Sequence, residues 1–508
     1  MKIALEVPPG LNTDDTAYAA SPAWADGSNM RFRLGRPQTI GGWEGIIATA
    51  LTGVCRTVFN WTDNNNTLNI AFGTHSALQL YQGGSLYTIT PSSGFTAGQI
   101  DGTGSTGWGT GAYGIGDYGE PSATDYFPLT WSFGAYGQTL IANPRGQGIF
   151  QWSNNTANVA VTVTNAPAVV TYCGVAPTRQ IFAFGCSEEV GGAFNPLCIR
   201  HSSIADATDW TTTSSSASTA REYVLPGGGR IVAARLVGRN WLVWTNHGLW
   251  VGTYYGQIGR VWSFDKVGDK CGLIGPNAAA VLGSTAYWVS PDRQFHSYSL
   301  GGVVMPIACP VREEFGDNLA SSQGDKVVAS SIAEYGEIRW DYPDSRDGYE
   351  NSRYVALAVE GNDAGNWYKG EMARTAMVDA GPSSYPIGVT YGGMTYFHEK
   401  GNSADGGILT SFIETADIYL DENLVFLTRS VWPDIADQVG PVALTMTTRF
   451  YAQGDATASA TYSVAPGQDT VDFKTKGRLF RFKFAGASAP SYFRIGRILV
   501  DGKPGGRK

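Results

Sequence analysis

The chain has 508 residues, 43% of them hydrophobic and 16% charged, long enough for roughly two to four domains around a sizeable core. Gly supplies 65 residues, about 13% against a usual share of about 7%, and aromatics reach 12%; with no long helical run of Ala, Leu, Glu or Lys, this excludes a helical protein and points to an all-β one. The net charge of −8 is uneven, because ten Lys or Arg and a single acid, Asp501, fall between Lys474 and Lys508, leaving the preceding body at about −17, a poor surface for binding nucleic acid.

Residues 1–45 read as an arm. They contain Pro8, Pro9, Gly10, Pro22, Gly27, Gly35, Pro37, Gly41 and Gly42 and too little alternation to fold alone, so they are expected to lie across another surface, including a neighbouring subunit. The opening apolar run is short and broken by Glu6, which does not fit a signal peptide. No stretch has the length of a membrane-spanning helix, so the product is expected to be soluble, made in a cytosol and without an integral membrane segment.

From residue 46 to 397 one unit recurs: a short strand ending in an aromatic, a tight turn, then another aromatic strand. It is clearest at residues 240–250, around Trp241, Trp244 and Trp250, and again at 285–298, around Tyr287, Trp288, Phe295 and Tyr298. Weaker copies lie at 68–73, 139–142, 180–185, 337–340 and 394–397. Spacings of about 40 to 70 residues with such marks predict a β-propeller of six or seven blades. The widest gap holds an insertion, Gly98 to Gly119, with eight glycines from Gly102 onward and Trp108, Tyr113 and Tyr118 among them. Two readings of it stay open: a surface loop, or a Tyr-decorated loop ordered only between subunits or at a channel.

After residue 397 the pattern changes to longer alternating strands, which predicts a separate C-terminal β-sandwich over 398–508 with a basic end. In residues 479–484 Phe480, Phe482 and Phe484 face one way and Arg481 and Lys483 the other. Arg478, Arg481 and Lys483 therefore form a candidate assembly surface for an acidic partner, against the plainer reading of a solvated tail or interface rim.

Chemistry is sparse. The five histidines, His75, His201, His247, His296 and His398, stand apart, with no HExxH, and the six cysteines form no CxxC pair, so no metal site is expected. The cysteines read as reduced, mostly buried side chains. The insertion has neither the register of a GxGxxG loop nor a following helix, which argues against nucleotide, and no GxSxG elbow occurs. Glu313, Glu314, Glu334 and Glu337 are the only carboxylates weighed as a glycosidase pair. Ser290-Pro291-Asp292 begins like a sialidase turn but lacks its Gly and Trp and does not recur. No catalytic, cofactor-binding or metal-binding residue is assigned, and the chain is not expected to be an enzyme.

Several stretches taken in order carry a resemblance: Gly10-Leu11-Asn12-Thr13-Asp14, Ser28-Asn29-Met30-Arg31-Phe32-Arg33, Ile40-Gly41-Gly42-Trp43, the Gly/Tyr insertion and Asp206-Ala207-Thr208-Asp209-Trp210. They continue in Cys271-Gly272-Leu273-Ile274-Gly275-Pro276-Asn277-Ala278, Glu337-Ile338-Arg339-Trp340-Asp341-Tyr342-Pro343 and residues 499–508. Together they span nearly the whole chain, which resembles the nozzle or hub proteins of short-tailed bacteriophages, also called tail tubular protein B or packaged-DNA stabilisation proteins. The resemblance implies a structural virion protein of the tail, assembled in the bacterial host cytoplasm as a propeller ring, usually a hexamer, beneath the portal and adaptor. Such a ring retains packaged double-stranded DNA and conducts it during ejection without reading its sequence, and tail fibre or spike proteins can join it. It carries over no catalytic residues. The competing expectation is a phage receptor- or carbohydrate-binding propeller whose aromatics form sugar platforms.

Overall fold

The computed structural model describes residues 2–16, 21–102, 127–212, 218–257, 260–420 and 425–505. These are almost entirely strand and turn, with one short α-helix, Arg312–Asn318, among the described residues. Seven four-stranded antiparallel sheets follow one another along the chain. Their first strands are Cys55–Thr62, Trp131–Tyr136, Val170–Ala176, Ile231–Val237, Ala279–Leu282, Val328–Ile332 and Ala376–Val378. Each lies against the first strand of the next sheet, and Ala376–Val378 returns to Cys55–Thr62. The fold is all-β and propeller-like, an arrangement that leaves only short sheet edges open.

The last sheet is completed from the far end of the chain. Its strands Ala376–Val378, Ile387–Val389 and Thr395–His398 take Trp43–Ile47 as a fourth, with Ile47 opposite Thr395 and Trp43 opposite His398. The core between sheets is aromatic: Trp131, Trp152, Trp210, Trp244, Trp262, Trp288, Trp340 and Trp367 are all buried. A buried indole N–H usually finds an acceptor, though that of Trp244 has none among the described residues. Trp131 donates to Thr74 O (2.8 Å), Trp288 to Cys271 O (2.9 Å) and Trp367 to Ala308 O (2.9 Å), each a carbonyl in or beside the preceding sheet. Two glycines make room for such rings, since a Cβ on Gly73 would stand 2.5 Å from Trp131 and one on Gly174 2.5 Å from Trp241.

Two larger sheets make up the rest, and they combine both termini. A seven-stranded sheet joins Lys2–Leu5, Met30–Arg33 and Arg36–Thr39 to Phe426–Val439, Tyr492–Pro504 and the short pieces Val471–Asp472 and Lys476–Gly477. A six-stranded sheet joins Trp24–Ser28 to Phe412–Thr415, Ile418–Tyr419, Leu479–Gly486, Val442–Arg449 and Ala458–Val464. The inward residues Phe480, Phe482 and Phe484 share one apolar core with Phe426, Phe493 and Val500, and with Trp24, Met30 and Phe32 from the N-terminal strands. The expected arm of residues 1–45 is therefore corrected: its strands are structural members of these sheets and of the closing propeller sheet. Each is only four or five residues long, and three of the five contain Gly or Pro, so its partners, not its own periodicity, make it a strand.

Candidate functional site: channel and buried joint

The seven first strands surround a cavity of about 280 Å³. Phe59, Phe133, Tyr172, Arg235, Ala280, Ser330 and Met377, one from each, line it. One mouth is tied across. Asn277, just before the fifth sheet, donates to Arg56 O (2.9 Å) and Thr57 Oγ1 (3.2 Å) of the first. The buried Arg56 guanidinium grips Glu350 with two hydrogen bonds, 2.5 and 2.8 Å, and donates to Ile100 O at 2.9 Å. Lys326 is fully buried and reaches Asp101 (2.6 Å), Tyr349 O (2.5 Å) and Glu350 (3.6 Å). Gln323 donates to Gly102 O (2.8 Å), and Arg145 pairs with Asp325 (3.2 Å). Arg235 donates to Pro276 O (3.0 Å) and to the Tyr172 hydroxyl. On the other side of the insertion, the Phe127 ring lies 4.0 Å from the Arg145 guanidinium and 4.7 Å from that of Arg230. Ile100–Gly102, within the insertion, and Phe127, the first described residue after it, thus both contact this set of side chains. Trp108, Tyr113 and Tyr118 themselves lie outside the described residues.

A second polar cluster joins the N-terminal strands to the sixth and seventh sheets. Arg31 forks onto Glu399 (2.7 and 2.8 Å) and reaches Glu337 at 3.2 Å, all three buried. Tyr368 donates to the other Glu337 oxygen (2.6 Å), and Tyr354 donates to Asn29 (3.0 Å). Arg339 pairs with Asp341 at 2.5 Å and lies 3.7 Å from the Tyr354 ring. Burial pushes the Glu337 carboxyl up to about 7, with Arg31 and the Tyr368 hydrogen bond opposing the shift. Arg374 donates to His398 Nε2 (2.8 Å), so that nitrogen is unprotonated. Burial, then the Arg374 and Arg339 charges, hold His398 well below the usual imidazole range.

Among the carboxylates weighed for catalysis, Glu337 is locked in this joint. Glu314, in the helix Arg312–Asn318, is held by Arg346 (2.5 Å), Arg353 (3.6 Å) and Lys369 (3.7 Å). Glu334 sits in a separate 3-10 turn. Ser290 bonds Asp292, Gln294 O (2.9 Å) and His296 (3.1 Å), which makes that stretch a structural turn. No group of three or more His, Cys, Asp or Glu among the described residues is placed to hold a metal, and no described helix is long and apolar enough to cross a membrane.

The basic C-terminal surface is partly engaged within the chain. Arg481 and Lys483 face away from Phe480, Phe482 and Phe484 and stay partly exposed, and each also meets acids of its own chain. Arg481 meets Asp417 (2.9 Å) and Glu414 (3.3 Å); Lys483 meets Glu414 (3.7 Å) and lies over the Phe412 ring at 3.9 Å. Arg478 directly precedes the strand Leu479–Gly486, and its backbone N–H donates to Arg449 O at 2.9 Å.

No family model matches the chain, and no curated protein matches it. Among solved structures, the computationally designed protein Ika8 aligns at 10% identity and TM-score 0.35, covering 70% of this chain and 99% of its own. BBS1N, from a complex with ARL6DN, aligns at 9% identity and TM-score 0.39, covering 71% and 97%. Likenesses at that level carry no argument about function.

Proposed function

We propose that this chain is a structural virion protein: a seven-bladed propeller with a two-sheet sandwich, forming the nozzle ring of a short phage tail. The observation that carries the reading is that two of its resembling stretches, 300 residues apart, meet in one buried joint. Asn29 and Arg31 from Ser28–Arg33 bond Tyr354 and Glu337, and Glu337 opens the stretch Glu337–Pro343. Agreement between an ordered set of motifs and a shared structural core supports one inherited architecture rather than scattered chance matches. Glu314 is surrounded by cations and Glu337 is buried between Arg31 and Tyr368, which suits scaffolding better than sugar cleavage, where an acid and a base must face the substrate.

In this reading the copies stand in a ring, six of them, beneath the portal and adaptor, and the ring axis is the DNA path. The propeller's own channel is not that path: its cavity is only about 280 Å³ and its mouth is tied across by Asn277, Arg56 and Lys326. An acidic body disfavours tight adhesion to the duplex it conducts. Negative-stain images of the purified protein mixed with its adaptor test this. A co-axial ring is expected; single copies on the periphery would favour an adhesin instead.

A further inference from the structure

The open edges of the described sheets are guarded in ways that discourage pairing with another chain. Among the outer propeller strands, Ser85–Thr88 and Val161–Thr162 are short, Arg221–Val224 and Arg260–Asp269 carry charges, and Met305–Ile307 contains Pro306. Trp367–Glu371 is covered by the N-terminal segment, through Leu11 N–H to Trp367 O (2.9 Å) and Asn29 N–H to Lys369 O (3.1 Å). Short, charged, proline-bearing or covered edges are the usual protections.

The strand Ala458–Val464 has none of them. It ends the six-stranded sheet, paired only with Val442–Arg449 in unbroken register from Thr448 opposite Ala458 to Val442 opposite Val464. Its sequence, Ala458-Ser459-Ala460-Thr461-Tyr462-Ser463-Val464, has no charge, proline or glycine. Ser459, Thr461 and Ser463 are exposed on the outer face, and even the inward-facing Ala458, Ala460 and Tyr462 are only half-buried, because no described strand lies beyond them. Beyond that pairing, among the described residues only its last carbonyl, Val464 O, has a donor, Gln438 Nε2 at 2.9 Å.

We propose that Ala458–Val464 pairs antiparallel, about a two-fold axis, with the same strand of a second copy of this chain. The strand best suited to add to this edge is an identical one: it brings no charge to repel, and small hydroxyl side chains to face its own. Such side chains already match across the sheet here, Thr445 with Thr461 at 2.7 Å and Thr447 with Ser459 at 3.2 Å. The contact would be self-complementary and would join two six-stranded sheets into one. It does not rest on the ring reading, since a self-complementary two-fold contact is of a different kind from the head-to-tail contacts that close a ring.

Sedimentation equilibrium of the full chain tests it. The wild type is expected at twice the mass of S459K/T461K, two chains against one for the free protein and two rings against one where rings form, with an unchanged far-UV spectrum. T461C, treated with a short bis-maleimide, is expected to give a covalent dimer that the wild type does not; this arm decides the matter if the lysine variant misfolds. A monomeric wild type overturns the pairing, as does a lysine variant that keeps the wild-type mass. A ring of unchanged size in the lysine variant likewise removes the strand contact and leaves the ring reading standing.

Discussion

Glu337 is a carboxylate whose surroundings set its charge near neutral pH. Its folded value of about 7 stands above an ordinary 4.5, so the folded state holds a proton that the unfolded chain has released. Its contribution is therefore fully present below pH 4.5 and is lost as pH rises through 7, by up to about 3 kcal/mol. Urea midpoints from pH 5 to 8 should fall with pH in the wild type and fall distinctly less in Glu337→Gln; parallel curves would refute this. At the channel mouth, Lys326→Met removes the cation shared by Asp101, Tyr349 O and Glu350. Arg56 still holds Glu350, so the expected cost is near the low end for a broken buried pair, about 3 kcal/mol, with faster amide exchange at Ile100–Gly102. The buried joint was hard to foresee residue by residue. Glu337, Arg339 and Asp341 alternate on a strand buried along its whole length, and the partners that take their charges, Arg31 and Tyr368 among them, come from other strands.

At the scale of elements, legibility followed how much of a strand's environment its own sequence encodes. The recurring strands reveal the propeller-like sheets where they carry their own buried aromatic, as Phe72, Phe182, Trp244, Trp288 and Trp340 do; Thr139–Pro144 carries none and is marked by its apolar run alone. Leu479–Gly486 shows its two faces by strict alternation. The N-terminal strands show neither signal, and the acids that meet Arg481 and Lys483 lie more than sixty residues earlier, on a neighbouring strand. The consequence is testable. Deleting residues 1–42 removes Leu5, Leu11, Trp24, Met30, Phe32 and Ile40 from the core. At about 1.5–3 kcal/mol each, the loss is of the order of 10 kcal/mol, comparable to the whole stability of a typical domain. The truncated chain should unfold or aggregate rather than merely fail to assemble, as judged by its melting curve and solubility. A well-folded truncation would restore the simpler view of the segment as a detachable arm.

The whole molecule has a closed propeller-like ring of sheets, two sheets that combine both chain ends, and an acidic body with a basic C-terminal end. The central claim is the proposal that DNA runs between copies along the ring axis and not through any single propeller. The all-β, propeller-like class was accessible from sequence; the ties across the channel mouth were not, because Asn277 reaches Arg56, and Lys326 the Glu350 that Arg56 holds, only when distant sheets come together. The most direct measurement is a cryo-electron reconstruction of the tail in DNA-filled particles. The account predicts several copies of this chain around a co-axial lumen that holds or faces duplex density, with every propeller's own channel closed. Duplex density threading a single propeller, or this chain found only on the periphery of the tail, would contradict it.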